Sequence, residues 1–220
     1  MDTDTSPAPT VDVVSDVVCP WCYIGKRQLE QAIDRLPPHE RPTVRWHPFQ
    51  LNPDLPPEGV DRRAYLEAKF GGAERATQIY ERVRQAGRDA GLELAIDRIE
   101  RQPNTLDAHR LIAWAQADGS RDASPLVEAL FRAYFVEARR IGERAELARI
   151  AGEAGWDADA ACAMLEADAG VAEVAAMDRR ARELGIGGVP FFIVDRRIGV
   201  SGAAGADALL DAIAQARAKG

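Results

Sequence analysis

Apolar positions along this chain follow two rhythms, and the switches between them mark its elements. Residues 10–15 form a Val-rich run that reads as a buried strand. A helix follows from Pro20 to about Leu36, with Leu29, Ala32, Ile33 and Leu36 on one face and Pro37-Pro38 as its stop. Pro20 suits the first helical position, where its missing N–H would have had no partner. Thr43 to Leu51 reads as a second strand, and Pro48 assigns it to an edge or a bulge. From about Asp61 to Leu184 the period becomes 3.6 residues. Helices are predicted at Arg62 to Phe70, Ala73 to Ala90, and Thr105 to Asp118, the last capped by Asn104 or Thr105. The strongest begins at Ser124-Pro125 and carries Val127, Leu130, Phe131, Tyr134, Phe135 and Ala138. Two shorter helices come next, the second capped by Asp157. A last one from Val171 lines up Val174, Met177, Ala181 and Leu184 before Gly185. Strands then return at Val189 to Asp195 and Ile198 to Ser201, with a turn at Arg196-Arg197 between them. A loop over Gly202 to Gly205 leads to a closing helix, Asp207 to about Ala218.

The order β-α-β, helical block, β-β-α describes an α/β fold interrupted by a large all-helical insertion. The expected division is 10–60 and 185–220 for the α/β part and 61–184 for the insertion. With 220 residues, 46% of them hydrophobic, the chain can bury a full core. A net charge of −7 and a pI near 5.1 argue against nucleic acid or an anionic membrane as partner. No run approaches the about 18 apolar residues of a membrane span. Met1 to Thr10 is polar, without a basic start or an apolar stretch, and reads as a tail rather than a targeting segment. A cytoplasmic location is the expectation. Structural disulfides are rare there, so a close cysteine pair points to catalysis or metal.

Such a pair exists at Cys19-Pro20-Trp21-Cys22, after the first strand and at the start of the first helix. Positions i and i+3 of a helix put Cβ atoms roughly 5–6 Å apart, and a disulfide needs Cα atoms about 4.4–6.8 Å apart. Small adjustments therefore close the ring. A thiol at a helix N-terminus faces unpaired N–H groups that favour the thiolate, the attacking species. Cys22, one turn in and packed inward, is expected to be less exposed. The competing reading is half of a zinc site, which needs four ligands. Besides the pair the chain offers Cys162, His39, His47 and His109, in no matching spacing, so redox chemistry is preferred. Cys162 lies among alanines and reads as a small buried hydrophobe. His47 and His109 read as packed or capping side chains. Asp16 reads as a strand-end charge or a proton-transfer neighbour of Cys19. Asn52 and Asn104 read first as backbone caps.

Several segments carry a wider resemblance. They are 16–26 around the cysteines, 47–53, 103–111, 133–135, Gly187-Gly188-Val189-Pro190-Phe191-Phe192, and Val200-Ser201-Gly202-Ala203. Together they resemble the thioredoxin fold, and more narrowly the DsbA-like proteins with a helical insertion, closest to their FrnE subgroup. That resemblance implies a thiol–disulfide oxidoreductase with Cys19 and Cys22 as catalytic residues. It also implies a cis Val189–Pro190 bond facing them, with substrate contacts from Val189, Pro190 and Trp21. The implied partners are protein thiols and disulfides, with glutathione as a candidate redox partner. No metal or organic cofactor is called for. DsbA itself has a histidine between its cysteines; the apolar Trp21 supplies no such charge, which argues against strong oxidant behaviour. Kappa-class glutathione transferases and 2-hydroxychromene-2-carboxylate isomerases resemble the same architecture but use a serine where this chain has Cys19, and Cys22 has no purpose in their chemistry. A third reading is a protein-binding or holdase module in which the dithiol is incidental.

Overall fold

The computed structural model describes residues 9–218. The segment read as a tail falls largely on residues 1–8, outside the described residues. Strand β1 (Thr10–Ser15) leads into helix α1 (Pro20–Asp34), which returns to β2 (Thr43–Pro48). Later come β5 (Phe191–Val194), β6 (Ile198–Ser201) and α9 (Ala206–Arg217). The sheet order is β2-β1-β5-β6, with β1 parallel to β2 and the other two pairings antiparallel. Alternation then sorts the side chains. Val11, Val13, Phe192 and Val194 are buried in one apolar cluster with Leu29 of α1 and Leu209 and Ile213 of α9. Val14 turns the other way, onto Phe49, Ala181 and Ile186.

Between β2 and β5 in the chain lie β3 (Val60–Asp61), α2 (Arg62–Phe70), α3 (Ala73–Asp89), β4 (Arg101–Gln102), α4 (Leu106–Asp118), α5 (Ser124–Phe135), α6 (Arg144–Glu153), α7 (Ala158–Glu166) and α8 (Val171–Glu183). Leu126, Val127, Leu130 and Phe131 of α5 belong to the same cluster as the sheet residues, so one core serves both parts of the chain. Arg110 of α4 is buried, and its guanidinium donates to the carbonyls of Met164, Leu165 and Ala169 around the end of α7. That end would otherwise leave acceptors unpaired.

The structure corrects several details. The second strand stops at Pro48, not Leu51. Phe49 N–H still donates to Ser15 C=O (3.1 Å), and after it the backbone donors turn to side chains, Gln50 N–H to Asp178 (2.8 Å) and Leu51 N–H to Asp16 (2.8 Å). The antiparallel pair β3–β4 is too short to show a period, and went unread. Helix α5 ends at Phe135; Ala138, assigned to its stripe, has φ 56° and lies outside it. On α8 the buried positions are Val174, Asp178 and Ala181, while Leu184 is 60% exposed. Asp178 takes the inward place because Gln50 N–H and the Arg182 guanidinium satisfy it.

The edge strand β2 is tied to α4 by one side chain. Gln116 accepts from Trp46 N–H (2.7 Å) and donates to Trp46 C=O (2.8 Å). Replacing Gln116 with Ala leaves a buried donor and acceptor unpaired, at a cost of about 1–3 kcal/mol. Urea unfolding should show a lower midpoint with an unchanged slope; a midpoint equal to the parent would show that water replaces the amide without loss.

Candidate active site

Cys19 is the N-cap residue of α1, in extended conformation (φ −92°, ψ 113°), and Pro20 opens the helix. A tight turn delivers it there, with Cys19 N–H donating to Asp16 C=O at 3.0 Å. The N–H groups of Cys22 and Tyr23 donate to Cys19 C=O (3.0 and 3.3 Å), which begins the helix. Both cysteines are free thiols. The expected contrast in exposure is small: Cys19 is 5% exposed and Cys22 2%. The turn folds Cys19 under its neighbours, and the residue that faces solvent is Trp21, 39% exposed. Burial pushes the Cys22 thiol well up from its ordinary range. Cys19 and the Asp16 carboxylate add to that shift, and a backbone hydrogen bond from Asp16 opposes it.

The loop before β5 meets this helix end. The Val189–Pro190 bond is cis, and the Cys19 thiol lies 3.6 Å from Val189 C=O, the distance of a weak S–H···O contact. Pro190 C=O accepts from Gly202 N–H (2.8 Å), which ties the loop to the end of β6. Helix α1 comes this close because of Gly25. A Cβ there would stand 3.0 Å from Pro190 Cγ and 3.1 Å from Phe192 Cζ. The structure thus brings Cys19, Cys22, Val189 and Pro190 together, with Trp21 at the rim.

Beneath the pair, Asp16 is fully buried. Its oxygens accept from Leu51 N–H (2.8 Å) and, at longer range, Val18 N–H (3.4 Å). His109 of α4 is buried beside it, Nε2 3.4 Å from Asp16 Oδ1 but outside hydrogen-bond geometry. His47 stands apart on β2, half-exposed, its Nε2 2.8 Å from Asp12 Oδ1. Asn104 does act as a cap: its side chain accepts from Leu106 N–H (2.9 Å) and Gln50 Nε2 (3.3 Å) and donates to Leu55 C=O (2.7 Å). Asn52 accepts from Tyr65 O–H (2.5 Å). Cys162, on α7, is partly buried against the main core. Among the described residues no three His, Cys, Asp or Glu side chains stand close enough together to hold a metal ion.

Sequence reasoning passed over Gln50 and Asp178, which fix the segment after β2, and gave His109 no contact with Asp16. The available signal was the polar residue at an inward helical position, Asp178, four residues before Arg182.

The chain matches the DSBA-like thioredoxin domain over residues 10–214. It is 26% identical to the YwbO protein of Bacillus subtilis across 214 residues, 95% of this chain and 98% of that one. A crystal structure described as a probable DsbA oxidoreductase from Streptomyces coelicolor superposes with a TM-score of 0.87 at 32% identity, covering 96% of this chain and 91% of that one. The cytosolic disulfide reductase DsbM of Pseudomonas aeruginosa, solved with GSH, shares the fold at a TM-score of 0.63 and 20% identity, over 96% of each chain. A family match across nearly all the described elements, on a sheet and helix arrangement that agrees with it, means that this chain belongs to the DSBA-like thioredoxin domain family.

Proposed function

We propose that this protein is a thiol–disulfide oxidoreductase of the FrnE type that exchanges disulfides through Cys19 and Cys22. The observation that carries the reading is the pair itself: two free thiols one helical turn apart at the start of α1, with Cys19 against the Val189 carbonyl. In the forward direction the Cys19 thiolate attacks a substrate disulfide and one substrate sulfur leaves as a thiolate. The Cys22 thiolate then attacks Cys19, forming the Cys19–Cys22 bond and releasing the second substrate sulfur. The pair is oxidised and the substrate reduced, with no metal or organic cofactor in the balance. Reversal of the same steps oxidises a substrate dithiol.

Val189 and Pro190 line the approach to Cys19, and Trp21 offers an exposed apolar surface beside it, which suits protein thiols and disulfides as partners. Glutathione is the proposed small-thiol partner, and a cytoplasmic location goes with it. Both have support in DsbM, described as a cytosolic disulfide reductase and solved with GSH. The reading includes the division into a thioredoxin-like part, 10–60 with 185–220, and a helical insertion over 61–184. Glutathione transfer or isomerisation would leave Cys22 without a role, and a holdase would need neither cysteine.

Cys22→Ser should accumulate mixed disulfides with protein substrates, because Cys19 still attacks and nothing resolves the adduct. Cys19→Ser should accumulate none. Non-reducing gels with mass spectrometry read both, and equal capture by the two variants would reverse or abolish the assigned roles.

Alkaline pH gives a second measurement. The folded protein holds the Cys22 proton beyond the pH, about 8.5, at which the unfolded chain releases it. Below that pH both states keep the proton and the group is neutral in the balance. Above it, ionisation favours the unfolded state by about 1.4 kcal/mol per pH unit until the folded value is passed. Reduced protein should therefore lose stability between about pH 8.5 and 10, and Cys22→Ala should lose less. Parallel urea-derived stability curves for the two would contradict a raised Cys22.

A further inference from the structure

Resolution by Cys22, as proposed above, requires a proton to leave a thiol that water does not reach. The Cys22 S–H bond has to break to give the thiolate whose sulfur attacks Cys19 Sγ and forms the S–S bond. The electron pair of the Cys19–substrate bond departs on the substrate sulfur. The Cys22 proton then has to travel from a buried position to solvent.

Asp16 lies in the turn that carries the pair: its backbone C=O accepts from Cys19 N–H at 3.0 Å. Its carboxylate is buried and acts electrostatically on Cys22. One of its oxygens is 3.4 Å from His109 Nε2, a buried nitrogen that has no hydrogen-bond partner. An imidazole nitrogen left unpaired beside a carboxylate can take a proton that arrives there. His109 also borders a cavity of about 10 Å³ that Ser15, His47 and Pro48 help to line. That is the space of roughly one water. His47, which lines the same cavity, is half-exposed and hydrogen-bonded to the largely buried Asp12. From thiol to solvent the order is carboxylate, imidazole, water-sized space, imidazole.

We propose that His109 and His47 form a proton exit for Cys22, with Asp16 as the intermediate acceptor. Several charged groups on α4 and on the elements around it have other commitments. Asp107 pairs with Arg110 and Arg144, Asp178 of α8 with Arg182, Glu128 of α5 with Lys26 and Arg27, and Glu146 of α6 with Arg139 and Arg149. Among the described residues Asp16 stands beside His109, and His47 lines the same small cavity. Both histidines are positioning residues in this scheme, since neither touches the reacting sulfurs.

Ellman's reagent separates the steps in a stopped-flow experiment. In a C162A background, which removes the third free thiol, reduced protein releases one thionitrobenzoate when Cys19 attacks and a second when Cys22 resolves the adduct. H109Q should slow the second phase by about tenfold near pH 6.5, with the difference closing at alkaline pH as hydroxide removes the proton directly. The first phase should stay within about twofold of the parent. H47Q, altered at a half-exposed position, should slow the second phase by about threefold. Second-phase pH profiles that superpose on the parent would overturn the exit, and H47Q alone decides if H109Q does not fold. A parent protein with no second phase, or C22S that keeps one, would instead refute the exchange reaction on which this inference rests.

Discussion

The close approach of α1 to β5 is the constraint on which the site depends. A Cβ one turn after Cys22 would crowd Pro190 at 3.0 Å and Phe192 at 3.1 Å, and Gly25 lets the helix lie this close without those neighbours giving way. A longer separation would carry both thiols away from the Val189 carbonyl together. The helix is held from its other side as well. Tyr23 O–H donates to Glu128 (2.9 Å), and the buried Lys26 ammonium reaches the same carboxylate at 2.7 Å. The Tyr23 ring stacks on Phe131 with centroids 5.0 Å apart. Sheet and helical block thus grip opposite sides of one helix. Apolar contact supplies the attraction there, and the charges fix the rotation of α1.

That two-sided grip gives the helical block a direct bearing on the chemistry. Glu128 lies on α5 and His109 on α4, and both elements belong to the stretch between β2 and β5. The carboxylate below the cysteines is held by the chain after β2 through Leu51 N–H, and that segment is itself held by Asp178 on α8. Arg182 completes the link, donating to Gln50 C=O at 2.5 Å while its guanidinium lies 4.1 Å from the Phe49 ring centroid. A shift of α8 would therefore be felt at Asp16 through a short run of hydrogen bonds.

Much of this arrangement was legible in the residues alone. The Val-rich β1, the start of α1 at Pro20 and the closing β-β-α unit followed from periodicity and from proline's missing N–H, and of the two readings left for β2, edge or bulge, the edge holds. The cysteine pair was legible because its spacing carries the chemistry in sequence. What escaped was decided by contacts distant in the chain. Asp178 is an inward polar residue only because Gln50, 128 positions earlier, offers it an N–H. Strand β2 stops short because side-chain acceptors replace a neighbouring strand. Cys19 is covered by a turn whose geometry no period reveals. The β3–β4 pair, two residues on each side, has no pattern to detect.

The Gln116 amide against β2 has a consequence for a protein whose proposed partners are protein thiols and disulfides. An edge strand is a template for further pairing with extended backbone. Because Trp46 turns its N–H and C=O outward to Gln116, alternation along the strand turns Val44 and Pro48 to the same side. Pro48 has no N–H to offer, and Trp46 is already occupied. Val44 is left as the outward position whose donor and acceptor Gln116 does not engage. A ladder needs successive donors, and of the three outward positions Trp46 and Pro48 supply none. Extended chains that come to the thiols thus meet a sheet whose β2 side is closed to being copied.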